Sequence, residues 1–144
     1  MNALTETQKA YLAGLLDGEG CVGIQKKRSS SKRHEYDFDT RVIITNSNYS
    51  AICWIKEVTG LGCAYQYKRS SNIKWNVVHR WVVVSRNARE FLNAIYPYLI
   101  IKKEITDLCL TFPFNNHKHR SDERYEEQIA YFQTVKDKNK RGVK

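Results

Sequence analysis

The helix predicted from the capping box at Thr5 to about Gly18 constrains the fold of this chain more than any other segment. The capping box Thr5-Glu6-Thr7-Gln8 predicts where the helix starts, and the glycine at position 18 predicts where it ends. At about 100° per residue, one face carries leucines that should pack on the chain's own sheet, namely Leu12, Leu15 and Leu16. The opposite face carries small residues at four-residue spacing, namely Ala10, Gly14 and Gly18, with Ala13 beside them.

Gly14 indicates that another backbone comes close to this small-residue face. A glycine inside a helix costs about 1 kcal/mol relative to alanine, and small residues at i, i+4 let two helices approach more closely than usual. Gly14 could pack under another helix of the same chain. Because the sequence holds no second copy of this helix, we favour the same helix of a second chain, related by a two-fold axis. The predicted homodimer interface comprises Ala10, Ala13, Gly14, Asp17 and Gly18.

Two acids lie at the wrong end of this helix. Asp17 and Glu19 fall in the last turn, where the helix dipole disfavours each carboxylate by roughly 0.3–1 kcal/mol. They could form a solvated acidic turn. They could also hold a hard divalent cation, and Mg²⁺ is expected because it prefers carboxylate and carbonyl oxygens, with Mn²⁺ as a substitute.

The remaining pattern predicts one α+β domain over residues 1–144. Alternating apolar residues predict strands at Cys21–Arg28 and Tyr36–Asn46, separated by the polar loop 29–34, which should stay outside the core. A helix over Asn48–Thr59 should end at Gly60, and a second hairpin should pair Cys63–Arg69 with Trp75–Ser85. The second hairpin is too uniformly apolar for its two faces to be distinguished. Helices should cover one face of a four-stranded antiparallel sheet and leave the other face open.

Three further helices are predicted after the sheet. The third is capped by Ser85 and ends at Pro97. The fourth has an apolar face formed by Ile101, Ile105, Leu108 and Phe112. The fifth opens at Ser121 and has an inner face formed by Tyr125, Ile129 and Phe132. Residues 136–144 should form a frayed basic tail.

The charge of the chain favours a polyanionic partner. The net charge is +9, and residues 61–86 contain five Lys or Arg and no acid. A second basic cluster spans residues 26–33, and aromatic residues are interleaved with the first one. A solvated basic surface is the alternative, but two such clusters on hairpins favour nucleic acid.

The cysteines and the apolar runs bound the compartment. Cys21, Cys53, Cys63 and Cys109 form no Cys-x-x-Cys pair, so we expect buried free thiols in a reducing, intracellular compartment. A bacterial or phage-infected cytoplasm and an organelle are not distinguished. The start does not resemble a signal peptide, the apolar runs are too short to cross a bilayer, and no membrane partner is expected. A basic sheet face that carries aromatic residues, a self-pairing helix and paired acidic helix ends together point to metal-dependent phosphodiester hydrolysis.

Leu12-Ala13-Gly14-Leu15-Leu16-Asp17-Gly18-Glu19-Gly20 closely resembles the motif of the LAGLIDADG homing endonucleases. The predicted αββαββα order is similar to that family from about Thr5 to Phe112, and so is the segment Tyr96–Lys103. With a single motif, the resemblance implies a homodimeric enzyme whose saddle-shaped sheet lies in the major groove. It also implies staggered cuts in both strands of a long, near-palindromic DNA site, and a gene carried by a mobile intron or intein.

The resemblance also implies site residues. Glu19 would be the catalytic metal ligand, in a place where Asp is commoner, and the Gly18 carbonyl would be a second ligand, whereas Asp17 would brace the motif helix. Asn46 and Lys102 match a polar residue and a lysine that order water around the phosphate. The alternatives are a helix N-cap for Asn46 and a solvated lysine for Lys102. A basic residue found in some relatives is replaced by Ser50.

DNA contacts are predicted from the strand period of two. On the first hairpin, Gln25 could read adenine and Arg41 could read guanine. The other predicted DNA-facing residues of that hairpin are Lys27, Ser29, Asp37 and Asp39. Candidates on the second hairpin are Lys68, Arg69 and Arg80. The remaining basic residues, Arg33 among them, should hold phosphates.

Two other functions on the same fold remain open. An intron maturase would bind intron RNA through the basic sheet without needing Glu19, and a non-catalytic DNA-binding regulator should have lost that acid. The presence of Glu19 favours the nuclease without excluding a protein that does both. His117 and His119 could form a metal pair, but a solvated pair is favoured.

Overall fold

The computed structural model describes residues 1–68, 77–115 and 120–141. In chain order, the first half contains α1 (Glu6–Glu19), β1 (Gly20–Arg28), β2 (Tyr36–Asn46), α2 (Tyr49–Thr59) and β3 (Cys63–Lys68). The second half contains β4 (Val77–Val84), α3 (Ser85–Ile95), a 3-10 turn (Tyr96–Tyr98), α4 (Lys103–Leu110) and α5 (Asp122–Arg141). The strands form one antiparallel sheet in the order β1-β2-β4-β3. The predicted α+β architecture is therefore confirmed.

The first two helices begin and end where the sequence indicated. The Thr5 hydroxyl accepts from the Gln8 amide at 3.1 Å, and the Gln8 side chain accepts from the Thr5 amide at 2.9 Å. Asn48 caps α2 through the Ala51 amide, and Gly60 ends that helix with a φ of 68°. Because φ is positive there, glycine is the residue that fits this stop at least cost.

The core lies between one face of the sheet and the helices. Leu12 and Leu16 of α1 are buried against this face. On β4 the buried residues are Trp81 and Val83, and the Trp81 indole donates to the Leu61 carbonyl at 2.9 Å. The sequence alone did not show which residues of β4 face the core. Because Trp81 and Val83 do, Arg80, Val82 and Val84 lie on the opposite face of β4. We call this opposite face of the sheet the open face.

α5 crosses the helix side of the first hairpin and reaches its outer edge. Tyr125 and Phe132 contact Phe38 of β2, with ring centroids 6.1 and 5.3 Å apart. Further along, Asn139 donates to the Val22 carbonyl at 3.1 Å, on the edge strand β1. This helix therefore covers a strand edge that would otherwise be free to pair with another chain.

Several predictions outside the motif helix are wrong. Ser85 is not a helix cap: it is the first residue of α3, with a φ of 56°, and no side chain caps that helix. Ile101 lies outside α4 and is 72% exposed, while Ile129 faces solvent because Gln128 and Val135 take the inner positions of α5. The tail is not frayed from residue 136, since α5 continues to Arg141.

The polar loop and the cysteines also differ from expectation. The sequence predicts that the polar loop 29–34 stays outside the core, but His34 of that loop is buried. All four cysteines are free, yet Cys21 and Cys63 are exposed, so the expectation of buried thiols fails for them. Burial raises the pKa of the Cys109 thiol to about 12. Among the residues described, no helix is both long and apolar enough to cross a membrane.

Candidate active site and DNA interface

The end of α1 fits tightly against the sheet because Gly20 has no side chain. A Cβ at this position would lie 2.6 Å from Leu16 Cδ1 and 2.9 Å from the Leu16 carbonyl oxygen. It would also lie 3.0 Å from the Ile43 carbonyl oxygen on β2. Two of these three atoms are backbone, so a larger residue would push the helix end away from the strand. Gly20 thus sets where the last residues of α1 stand relative to β2.

Asp17 ties the end of α1 to the segment before α4. Its carboxylate accepts from the Ile100 amide at 2.8 Å and from the Lys102 amide at 2.9 Å. The Lys102 ammonium donates to the Asp17 carbonyl at 2.7 Å. A cation at a helix C-terminus and two backbone donors offset the negative charge that the sequence placed there. Asp17 therefore braces the motif helix within its own chain.

Glu19 is left with an exposed carboxylate at the last position of α1. None of the ion pairs found in the described residues involves it. The Gly18 carbonyl belongs to the same last turn, where carbonyls lack donors within the helix. A carboxylate and a carbonyl at a helix end are oxygen ligands that suit a hard divalent cation.

One chain supplies only part of such a cation site. In residues 1–68, 77–115 and 120–141, no three His, Cys, Asp or Glu side chains come together as metal ligands. Glu19 would need further ligands from a second chain, from DNA or from water.

Asn46 lies close to this helix end. Gly20 pairs with Ile44 across the sheet, and Asn46 is two residues beyond Ile44. The Asn46 side-chain oxygen accepts from the Asn48 amide at 2.8 Å. Asn46 is therefore not the N-cap of α2, and its amide nitrogen is the group that remains to donate to a water or a phosphate. Lys102 thus bonds the last turn of α1 through Asp17, and Asn46 lies two residues beyond the strand partner of Gly20.

The small-residue face of α1 is open. Ala10, Gly14 and Gly18 are exposed, and a Cβ added at either glycine would meet no atom of residues 1–68, 77–115 and 120–141 within 4 Å. Ala13 is instead fully buried in the chain's own core, so its predicted place in the dimer interface is wrong. Gly14 therefore does not pack under any helix that the structure describes. The face is free to receive another backbone.

Exposed apolar side chains flank this face. Tyr11 is 56% exposed and packs edge-on against Trp54 of α2 at 5.3 Å, beside a cleft of about 340 Å³. On the other side, Ile100 and Ile101 are both exposed next to Asp17. Apolar patches of this kind commonly mark an interface.

The part of the open face formed by β1 and β2 carries most of the first-hairpin residues predicted to contact DNA. Several of them already form ion pairs within the chain. Gln25 and Arg41 are half-buried on this face. Lys27 and Asp39 form an ion pair at 3.2 Å, and Asp37 lies 3.4 Å from Arg120. Ser29 closes the hairpin, its amide donating to the Glu35 carbonyl and its hydroxyl accepting from the Ser31 amide. The carboxylates of Asp37 and Asp39 therefore hold cations of the protein itself in this structure.

On the second hairpin, an aromatic neighbour fixes the position of the Arg80 side chain. The Arg80 guanidinium lies 3.7 Å from the centre of the Tyr67 ring, on the open face. Lys68 ends β3, and Arg69 lies outside the described residues, as do His117 and His119.

The sequence did not predict a polar cluster beneath the first hairpin. Its buried members are Arg120, His34 and Gln128, and the exposed Asp122 joins it through His34. Bonds to Arg33, the largest cause, and to His34 lower the pKa of the exposed Asp122 carboxyl. The sequence contained only a weak signal of this cluster, namely a histidine in the polar loop 29–34 and an arginine just before the acidic start of α5.

The comparisons with known proteins agree with this geometry. Residues 12–107 match the family described as LAGLIDADG endonuclease. The fold is similar to that of the homing endonuclease I-CvuI in complex with its target, with a TM-score of 0.75 at 21% identity over 90% of this chain and 80% of that one. It is also similar to the archaeal intron-encoded I-Vdi141I complexed with DNA, with a TM-score of 0.69 at 19% identity over 92% and 84%.

A third similar structure is a longer chain. DNA-bound I-LtrWI gives a TM-score of 0.65 at 20% identity over 93% of this chain but 46% of that one. No curated protein matches the sequence.

Proposed function

Because the chain belongs to the LAGLIDADG endonuclease family, we propose that it is a homodimeric, divalent-metal-dependent enzyme that cuts both strands of a long, near-palindromic DNA site. The observation that carries the proposal is the arrangement at the end of α1. Glu19 is exposed there and forms no ion pair within the described part of the chain, while the face of the same helix that carries Gly14 is open. Packing that face against its copy would bring two Glu19 carboxylates together around the two-fold axis.

Three observations support the homodimer. The chain matches 46% of I-LtrWI, so two copies supply about as much fold as that single longer chain. Gly14 and Gly18 leave room for a second backbone along α1. The exposed Tyr11 and Ile101 would lose water contact in such an interface, and burying apolar surface is the main favourable term in association.

The residues around Glu19 have separable roles in this proposal. Glu19 and the Gly18 carbonyl would hold the cation, for which Mg²⁺ is the first candidate and Mn²⁺ a substitute. A divalent cation there would supply charge stabilisation at the phosphate and activation of water. The Asn46 amide would orient a water or a phosphate oxygen. The Lys102 ammonium, with two donors beyond its bond to Asp17, would offset developing negative charge.

Binding would use the open face of the sheet. Gln25 and Arg41 would reach base edges, which their position on the open face supports, and Lys27, Arg33 and Arg80 would hold phosphates. With a net charge of +9, affinity should fall steeply as salt is raised.

Cleavage of a randomised duplex library in Mg²⁺, followed by sequencing of the cut ends, tests the proposal. We expect both strands to be cut, with a two-fold symmetric preference. Glu19→Gln should abolish cleavage and keep DNA binding in Ca²⁺, because the fold and the open face are unchanged. Absence of cleavage by the wild type in Mg²⁺ and Mn²⁺, with binding to intron RNA or uncut DNA, would instead support a maturase or a regulator. Cleavage by Glu19→Gln would show that the metal site lies elsewhere.

A further inference from the structure

We propose that Arg120 is a positioning residue for DNA recognition, which holds the outer half of the first hairpin in the orientation that reads the target. This inference rests on the proposed DNA-cleaving function. Arg120 is 9% exposed and comes from the segment before α5, far in sequence from the hairpin. It was not among the predicted site residues.

The guanidinium of Arg120 binds the hairpin through three groups. It donates to the Tyr36 carbonyl at 2.8 Å, lies 3.4 Å from the Asp37 carboxylate, and donates to His34 Nδ1 at 3.4 Å. Because β4 pairs with β2 only over Arg41–Asn46, the Tyr36 carbonyl lies at a free stretch of the β2 edge. Arg120 therefore takes the place of a strand partner at the hairpin tip.

The same guanidinium is anchored to the body of the protein. It donates to the Gln128 side-chain oxygen at 2.8 Å and lies 4.6 Å from the centre of the Tyr125 ring, both on α5. Gln128 in turn donates to the Pro113 carbonyl at 2.8 Å. Removing one partner of a buried charge is strongly destabilising, because the other partner is left buried without compensation. The cluster thus links the hairpin to α5 with directional bonds that only a guanidinium provides.

Asp122 adds a second, exposed link to the loop. Its carboxylate binds Arg33 at 3.1 Å and His34 Nε2 at 2.9 Å. Since His34 Nδ1 accepts from Arg120, its Nε2 carries the proton that is donated to Asp122. The loop at the hairpin tip is therefore held on both sides of His34.

The position of this cluster explains why it should affect specificity. Arg28 is eight residues along β1 from Gly20, which corresponds to about 26 Å, or roughly eight base pairs from the cleavage centre. Small rotations at the hairpin tip would move base-reading side chains out of register at the ends of the site and leave the centre unaffected. Asp37, which we first expected to face the bases, acts in this scheme as the hairpin's ligand for Arg120.

The test compares Arg120→Met and Arg120→Lys with the wild type on single-base-pair variants of the target found in the library. We expect discrimination at the outer base pairs to fall about tenfold, the lower range carried by one base contact. The single-turnover rate at saturating enzyme and the discrimination at central positions should change little. Leu92→Ala is the control for stability, because Leu92 is fully buried in α3 and belongs to neither the cluster nor the hairpin. An equal loss of outer discrimination in Leu92→Ala, or an unchanged profile in both Arg120 variants, would overturn the proposal.

Two further measurements test the role of Arg120 if the protein does not cut DNA or if the Arg120 variants do not fold. Hydrogen exchange of the hairpin amides 29–35 requires no DNA, and it should be about tenfold faster in the Arg120 variants, so it separates this proposal from failure of the nuclease assignment. Asp122→Asn removes an exposed link without leaving a buried charge, and it should loosen the same amides even if both Arg120 variants fail to fold. Unchanged exchange in every folded variant would refute the positioning role.

Discussion

Replacing Asp17 by asparagine separates bracing of the motif helix from catalysis itself. The Asp17 carboxylate accepts from two backbone amides, at 2.8 and 2.9 Å. An asparagine can keep one of these bonds, but its amino group would then face the other backbone N–H. Hydrogen bonds to a charged group each contribute about 1.5–3 kcal/mol, so we expect a loss of about 2 kcal/mol for this partly exposed side chain.

That loss has a measurable consequence in thermal melting. For a chain of this size, about 2 kcal/mol corresponds to a fall of roughly 4–8 °C in Tm. Asp137→Asn is the matched control, because it removes the same charge from an exposed site where Asp137 accepts a hydrogen bond from the Gln133 side chain. Its free energy of unfolding should change by less than about 0.5 kcal/mol.

Cleavage should fall further than stability explains. Asp17 and Lys102 hold the turn that ends in Glu19, and a displacement of about 1 Å at a reacting group can cost about 100-fold in rate. Single-turnover cleavage with saturating DNA, well below the Tm of the variant, measures this effect. If Asp17→Asn melts and cleaves like Asp137→Asn, the brace has no energetic role.

Two further predictions concern the interface and the hairpin. Gly14→Leu places a large side chain on the small-residue face of α1, so we expect it to shift the protein from dimer to monomer in sedimentation. Ala130→Leu, on the exposed side of α5, should leave the dimer unchanged. A Gly14→Leu variant that stays dimeric would contradict the interface. Asp122→Asn should reduce stability most above about pH 5. The pKa of the Asp122 carboxyl is lower in the folded protein than its unfolded value, near 3.8, so the ionised carboxyl stabilises the fold above that unfolded value. This contribution is lost as the pH falls through the folded pKa. Urea unfolding from pH 7 to pH 3 measures the difference, which should shrink toward acid; a constant difference would argue against the ionised Asp122 link.

The motif helix and the first hairpin were predictable because their signals are local. The capping box, the leucine face and the alternation of β2 each involve neighbours in sequence, and the observed bounds differ little from the predicted ones. The faces of β4 could not be assigned, because Val77–Val84 is apolar on both sides. Burial of Trp81 decides between them, and that depends on α2 and α3 packing above the sheet.

The buried cluster could not be predicted because its partners are distant in sequence. Arg120 and His34 are separated by 86 residues, and each alone reads as a solvated polar residue. Only the path of α5 across the hairpin brings them together and removes them from water. The same path explains the error at Ile129, since the inner face of α5 is set by what it crosses and includes the polar Gln128.

The two acids at the end of α1, which form a single electrostatic anomaly in the sequence, have different surroundings in the structure. Asp17 is neutralised within the chain by backbone donors and Lys102, which removes its electrostatic cost. Glu19 has no such partner among the described ion pairs, so its unfavourable position relative to the helix dipole is not compensated within one chain. An uncompensated acid persists where a ligand relieves it, and next to it lies a helix face open to a second backbone. Dimerisation and cation binding should therefore be coupled: the cation should favour the dimer in sedimentation, and Glu19→Gln should remove that dependence while leaving the dimer intact.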